Sequence, residues 1–298
     1  MFDPKKVKVG IAPIGWVNDD MPDLGAENTF EQILSEAALA GYVGTEVGNK
    51  YPKDPALLKT YLEPRGLEIA NAWFSSFLIT QPYEEVERAF IAHRDYLHAL
   101  GAKIIGLSEQ GHSIQGQMET AIFDCKYVMN DAEWGLLLTG LNKLGALARE
   151  KGMRLTVHHH MGTVVQTADE INRLMAGTDP DLVGLLYDVG HLAYCGEDPL
   201  AVLSKHIGRV LHVHLKDIRP DIVARVRAEK LSFLQGVRMG AFTVPGDGSV
   251  DFVPIFRALA EYGYAGWLLV EAEQDPAVAN PFVYAVRARK YIREAAGV

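Results

Sequence analysis

Residues 182–217 read LVGLLYDVGHLAYCGEDPLAVLSKHIGRVLHVHLKD. Two short apolar runs, 182–190 and 210–217, flank a segment of helical spacing that begins at Pro199 and closes at Ile207 before Gly208. Strand-like runs that alternate with helices indicate βα units on a parallel sheet. Working outward, six more runs of the same kind occur at 7–13, 44–48, 67–74, 102–109, 154–160 and 266–273. Between them lie helical patterns at 30–40, 83–100, 131–151, 168–176 and 254–262, several ending at glycine. Thr167 with Glu170 reads as a capping box. Eight strands each followed by a helix fit an α/β fold of the (β/α)8 TIM-barrel type, and such barrels use about 250 residues as one domain. The expectation is a single domain over 1–298. A doubly wound sheet would carry a Gly-rich turn after the first strand, where this chain has Ala12-Pro13-Ile14-Gly15-Trp16. One loop insertion, 219–248, separates the seventh strand from its helix; Phe233, Leu234, Val237, Met239 and Phe242 within it seek burial. Loops of that length are usually functional, so a helix near 221–231 and closure over the barrel mouth, or a subunit contact, are expected.

The composition, 48% hydrophobic and 22% charged over 298 residues, is that of a globular protein with a large core. Formal net charge is −9, and no Lys/Arg cluster occurs, which argues against nucleic acid or an anionic membrane as partner. No apolar run is long enough to span a membrane. Two cysteines, Cys125 and Cys195, make neither a disulfide framework nor a zinc cluster, so a reducing cytoplasm is the expected compartment.

Barrel enzymes carry their chemistry at the C-terminal ends of the strands. Read there, the chain offers Glu46, Glu109, His158, His159, His160, Asp188, His191, His212, His214, Lys216, Asp217, Glu271 and Glu273. Six of the ten histidines fall in or just after runs five to seven. The period of two places His158 with His160, His212 with His214, and Glu271 with Glu273. If His158, Asp188, His214 and Glu271 point inward, four adjacent strands bring two imidazoles and two carboxylates to one point. That donor set suits Mn²⁺, Co²⁺, Fe²⁺ or Zn²⁺. His160 and Glu273, two residues beyond the ligands, are candidates for proton transfer. His191 is a candidate to orient Asp188 or shuttle a proton, and Lys216 to hydrogen-bond a hydroxyl. His158 stays open between ligand and acid. Trp16, Trp73 and Glu46 are candidates for substrate contact. Asp217 reads as a cap or a loop brace.

These residues sit in segments that resemble the xylose-isomerase-like sugar phosphate isomerase/epimerase superfamily. The segments are Gly-Tyr-x-Gly-x-Glu at 41–46, Asp-x-Gly-His at 188–191, His-x-His-x-Lys-Asp at 212–217, Pro-Gly-x-Gly-x-x-Asp-Phe at 245–252 and Gly-Tyr-x-Gly-Trp-x-x-x-Glu at 263–271. That superfamily holds a divalent metal through Glu, Asp, His and Glu. Asp188, His214 and Glu271 match, and His158 stands where the first Glu belongs. A narrower resemblance, carried by 10–22 (GIAPIGWVNDDMP), 158–163 (HHHMGT) and 271–276 (EAEQDP), is to the inosose dehydratases. It implies removal of water from 2-keto-myo-inositol, a small polyol ketone, to give a trihydroxycyclohexane-1,2-dione in myo-inositol catabolism. It also implies dependence on Mn²⁺ or Co²⁺, and on glutathione. A ketose isomerase or epimerase on the same metal site is the alternative, and a homo-oligomer is left open.

Overall fold

The computed structural model describes residues 2–298. Its frame is a parallel sheet of nine strands: β1 (Val7–Ile11), β2 (Gly44–Glu46), β3 (Glu68–Asn71), β4 (Trp73–Ser76), β5 (Ile104–Glu109), β6 (Arg154–His158), β7 (Val183–Asp188), β8 (Val210–Leu215) and, at the end of the chain order, β11 (Gly266–Val270). Two short strands, β9 (Asp217–Ile218) and β10 (Phe242–Thr243), pair with each other outside it. Strand β1 pairs with both β2 and β11, so the sheet curls into a nearly closed barrel with helices outside. Strands buried on both faces need continuous apolar character, and β7 (VGLLYD) is buried at every residue.

The barrel closes at a point the sequence pattern did not reveal. The run expected over 67–74 is two strands: β3 pairs only with β2 and β4 only with β5, with a break at Ala72. The seam is bridged by a side chain, since the Gly106 backbone N–H donates to Asn71 Oδ1 at 2.6 Å. Other strand expectations ran past the sheet. Residues 12–13, 159–160 and 271–273 lie in the loops that follow their strands, which is where a barrel builds its site.

The helices are α1 (Phe30–Leu39), α2 (Pro55–Leu62), α3 (Tyr83–Ala99), α4 (Asp131–Glu150), α5 (Ala168–Gly177), α6 (Val189–Cys195), α7 (Pro199–His206), α8 (Pro220–Ala228), α9 (Phe233–Arg238), α10 (Phe252–Tyr262) and α11 (Pro281–Ala296). Thr167 and Glu170 form the expected capping box of α5. Periodicity missed α2 and α11. The first is short. The second buries Ala285, Ala288, Ile292 and Ala296, a stripe mostly of alanine with little apolar contrast.

The insertion 219–248 folds as α8, α9 and β10. It builds a second apolar cluster, in which Met21, Leu24, Ile122, Met161 and Tyr194 pack with Val226, Phe233, Val237 and Phe242. Asp217 anchors it. Its buried carboxylate accepts backbone N–H bonds from Ile218 (2.8 Å), Val250 (2.9 Å), Gly248 (3.1 Å) and Gly246 (3.3 Å). Asp217 is thus a loop brace. Asp217→Ala leaves several buried N–H groups without an acceptor, and we expect it to cost about 3 kcal/mol, read as a lower urea midpoint with unchanged slope.

Candidate active site

A cavity of about 520 Å³ opens at the C-terminal end of the barrel. On its wall and floor stand His158, His160, His214, Glu271, Glu273, Trp73 and Glu46. Asp188 is fully buried just beneath. One donor atom from each of His158, Asp188, His214 and Glu271 lies within 4.8 Å of the others. His158 Nε2 is 3.3 Å from Asp188 Oδ2, and His214 Nδ1 is 3.4 Å from the same oxygen. Adjacent register explains the convergence: Asp188 pairs with His214 across β7 and β8, and His158 pairs with Leu186 across β6 and β7.

These groups fit a divalent cation. His214 Nδ1 and Glu271 Oε2 are buried 2.8 Å apart, with Asp188 Oδ2 3.4 Å from the same nitrogen and Lys216 Nζ 3.0 Å from the same oxygen. An imidazole nitrogen and carboxylate oxygens that converge this closely from neighbouring strands are a donor set that suits a metal ion. Charge gives the same answer. Glu46, Asp188 and Glu271 are buried carboxylates, and Lys216 is the buried ammonium among them. Burial opposes their ionisation. Even so, the charge of Lys216, joined for Glu271 by that of His214, holds Asp188 well below the carboxylate range and Glu271 at about 2. Buried charge needs compensation: Lys216 supplies one positive charge, and against its burial Glu271 and Glu46 raise the His214 pKa well above its usual value, so the cluster draws a cation, proton or metal, to that imidazole.

His158 is buried, which pushes its pKa down and keeps the imidazole neutral against the pull of Asp188. Burial does the same to His160 and His191. His159 points away from the cavity. Its Nε2 accepts the Asp188 backbone N–H at 3.1 Å, so it braces a proposed ligand. Burial and the charge of Glu271 push Glu273 up to about 7, although Lys216 Nζ lies 2.8 Å from its Oε1.

Several expected residues have other surroundings than the sequence suggested. Trp16 does not line the cavity. It is buried outside the sheet, and its indole N–H donates to Glu36 Oε2 at 2.5 Å. Lys216 and His191 lie under the floor, their Nζ and Nε2 2.9 Å apart, and reach the cavity through Glu273. His191 does hold Asp188: its backbone N–H donates to Oδ1 at 3.0 Å, capping α6. Glu46 touches the cavity, but its Oε1 is taken up by His214 Nε2 (3.0 Å), His212 Nε2 (3.3 Å) and Asn71 Nδ2 (3.0 Å). Trp73 lines the cavity, with its ring edge-on to His158 (5.4 Å) and His160 (5.6 Å). The insertion is no lid: among the described residues, none of 219–248 lines the cavity. It instead walls two of the candidate histidines from behind, with Phe233 5.2 Å from His160 and Phe242 5.2 Å from His191. Sequence reasoning passed over Asp19, Asp20, Asn71, Gln110 and Gln115, which also line the cavity. Asn71 ends β3 but falls in the middle of the run expected over 67–74, and the others lie on loops, so no expected strand end marked them.

The model of the xylose isomerase-like TIM barrel family matches residues 34–295. An inosose dehydratase from Clostridium botulinum (strain Alaska E43 / Type E3) is 66% identical over 298 residues, covering 100% of both chains. One from Clostridium perfringens is 68% identical over 294 residues, 99% of each. Among solved structures, the IOLI protein with a binding zinc atom aligns with a TM-score of 0.70 at 15% identity, over 97% of this chain and 98% of that one, a likeness of fold.

Proposed function

The chain belongs to the inosose dehydratases of the xylose isomerase-like TIM barrel family, a hydro-lyase by that membership, and from this we propose its substrate and the work of its residues. The substrate is 2-keto-myo-inositol, dehydrated to a trihydroxycyclohexane-1,2-dione in the cytoplasm during myo-inositol catabolism. The observation that carries this reading is the 66% identity to an inosose dehydratase along the whole chain. His158, Asp188, His214 and Glu271 would hold a divalent ion, Mn²⁺ or Co²⁺. Such an ion, when bound, supplies Lewis acidity toward a ketone or hydroxyl oxygen.

Elimination needs a base for the proton α to the ketone and an acid for the departing hydroxyl. Glu273 faces the cavity with a pKa raised to about 7, a value that suits proton transfer in either direction. Lys216 donates to its carboxylate from beneath at 2.8 Å, with His191 3.8 Å from the same oxygen. His160 lies 3.9 Å from Glu273 and shares its side of the cavity. Trp73 offers an apolar edge to the C–H face of the ring. His158 is the residue that separates dehydration from the alternative, epimerisation. Standing off the ion, its imidazole can take up a proton, such as the one removed from the α-carbon, and pass it to leaving hydroxide, whereas an ionised carboxylate ligand in its place only accepts.

His158→Glu should therefore retain metal while dehydration falls by about 10²-fold or more, the typical worth of a positioned acid. Exchange of the substrate's α-hydrogen with solvent should survive. The measurement is dione formation and deuterium wash-in, followed in parallel with Mn²⁺ or Co²⁺, with and without glutathione. Dehydration at the parent rate in this variant would remove His158 from the acid role. Ketose epimerisation without water loss by the parent protein would favour the alternative.

A further inference from the structure

The two ring nitrogens of His214 have different neighbours. Nδ1 faces Glu271 Oε2 at 2.8 Å and Asp188 Oδ2 at 3.4 Å, whereas Nε2 faces Glu46 Oε1 at 3.0 Å. A neutral imidazole has one N–H and one lone pair, and an ionised carboxylate only accepts. Placing the N–H on Nε2, toward Glu46, leaves the Nδ1 lone pair aimed into the ligand cluster. The opposite tautomer would direct its N–H at the other ligands and its lone pair at a carboxylate oxygen.

Glu46 is itself held. Asn71 Nδ2 donates to Glu46 Oε1 at 3.0 Å, and Asn71 Oδ1 accepts the Gly106 N–H at 2.6 Å. A Cβ at position 106 would come within 2.4 Å of Asn71 Nδ2, so glycine makes room for this clamp. A chain of contacts thus runs from the barrel seam through Asn71 and Glu46 to His214.

We propose that Glu46 is a positioning residue: it fixes His214 as the Nε2–H tautomer and strengthens Nδ1 as a metal ligand, with Asn71 clamping Glu46 from the seam. The inference rests on the metal-dependent reading above. Its rival is a second ion held by Glu46, His212 and His214 Nε2, three groups whose donor atoms also lie within 4.8 Å of one another. The rival requires both nitrogens of His214 to ligate at once, as an imidazolate. It also places an ion at Glu46 Oε1, which already accepts the Asn71 N–H.

The test uses the full chain, its Glu46→Ala and Glu46→Gln variants, and Zn²⁺ as the probe. Zn²⁺ affinity is measured by competition with a chromophoric chelator, alongside ion stoichiometry. Long-range ¹H–¹⁵N histidine spectra of the Zn²⁺-loaded protein report the tautomer. We expect one Zn²⁺ for the parent, bound about 10–100-fold more weakly by Glu46→Ala, the usual effect of removing a ligand's hydrogen-bonding partner. Glu46→Gln should lie between, because the amide oxygen still accepts but carries no charge. The Nε2–H signal of His214 should be protected in the parent and lost in Glu46→Ala. If Glu46→Ala does not fold, Glu46→Gln decides, with about tenfold weaker binding expected. Both variants binding within about threefold of the parent would overturn the inference alone, since outer partners normally cost more. So would two ions in the parent falling to one in Glu46→Ala. A parent that binds no Zn²⁺ would overturn the metal reading and this inference together.

Discussion

Glu271→Ala should lower turnover by at least about 10³-fold, a loss of about 4 kcal/mol of transition-state stabilisation, because it removes a proposed metal ligand and with it the proposed Lewis acid. His214→Ala and Asp188→Ala should do the same, but Glu271→Ala is the cleanest of the three. Asp188 also caps α6, whereas Glu271 has one further buried partner, Lys216 at 3.0 Å, which keeps Glu273. The fold should persist, since Glu271 lies in the loop after β11, beyond the packed strands. The stability readout has a definite sign. In metal-free protein, Glu271 is held ionised by Lys216 and His214 with its pKa lowered to about 2, so deleting it should lower the melting temperature at neutral pH. Added ion should stabilise the parent by about 2.7 kcal/mol at a hundred times its dissociation constant, and should stabilise Glu271→Ala far less. Full metal occupancy with retained turnover in two of the three variants would exclude this site.

Glu273→Gln should retain the ion and lose about 10²–10⁴-fold in turnover, the range for removing a general acid or base. The substitution conserves shape and can still accept a hydrogen bond from Lys216, which lies 2.8 Å from Oε1. What it removes is the capacity to hold and release a proton in the cavity. Both α-hydrogen exchange and dehydration should fall if Glu273 is the base; exchange alone should survive if it is the acid. Parent-like rates for both would leave Glu273 a structural partner of Lys216. Lys216→Met is a useful companion. It strips the buried cation from beneath Glu271 and Glu273, and loss of ion binding there would show that the ammonium holds the carboxylates in place.

The barrel and most of the proposed ligand cluster were legible because both follow from short-range rules. Alternation of period two in 154–160 and 210–217, repeated beside Asp188, is enough to put His158, Asp188 and His214 on one side of neighbouring parallel strands. Their observed register bears this out, with Asp188 opposite His214. Glu271 follows from the same logic on β11, the other neighbour of β8.

What the sequence could not reach depends on contacts between distant residues. Trp16 reads as a strand-end aromatic beside the mouth, yet the chain turns outward after β1 and buries the ring against α1. The insertion reads as a mobile lid because it is long, whereas Asp217 ties its end down and Phe233 and Phe242 pack it behind the histidines. Glu46 reads as a substrate contact because it ends a strand; its three partners, Asn71, His212 and His214, come from two other strands. Local spacing determines which face a side chain takes, so the sequence by itself determined the fold class, the end of the barrel that carries the chemistry, and the four proposed ligands. Hydrogen-bond partners and pKa values depend on which groups three-dimensional packing brings within a few ångströms and removes from water. Only the tertiary structure, therefore, decided that Glu46 faces His214, that Lys216 lies under Glu273, and that the insertion is a wall.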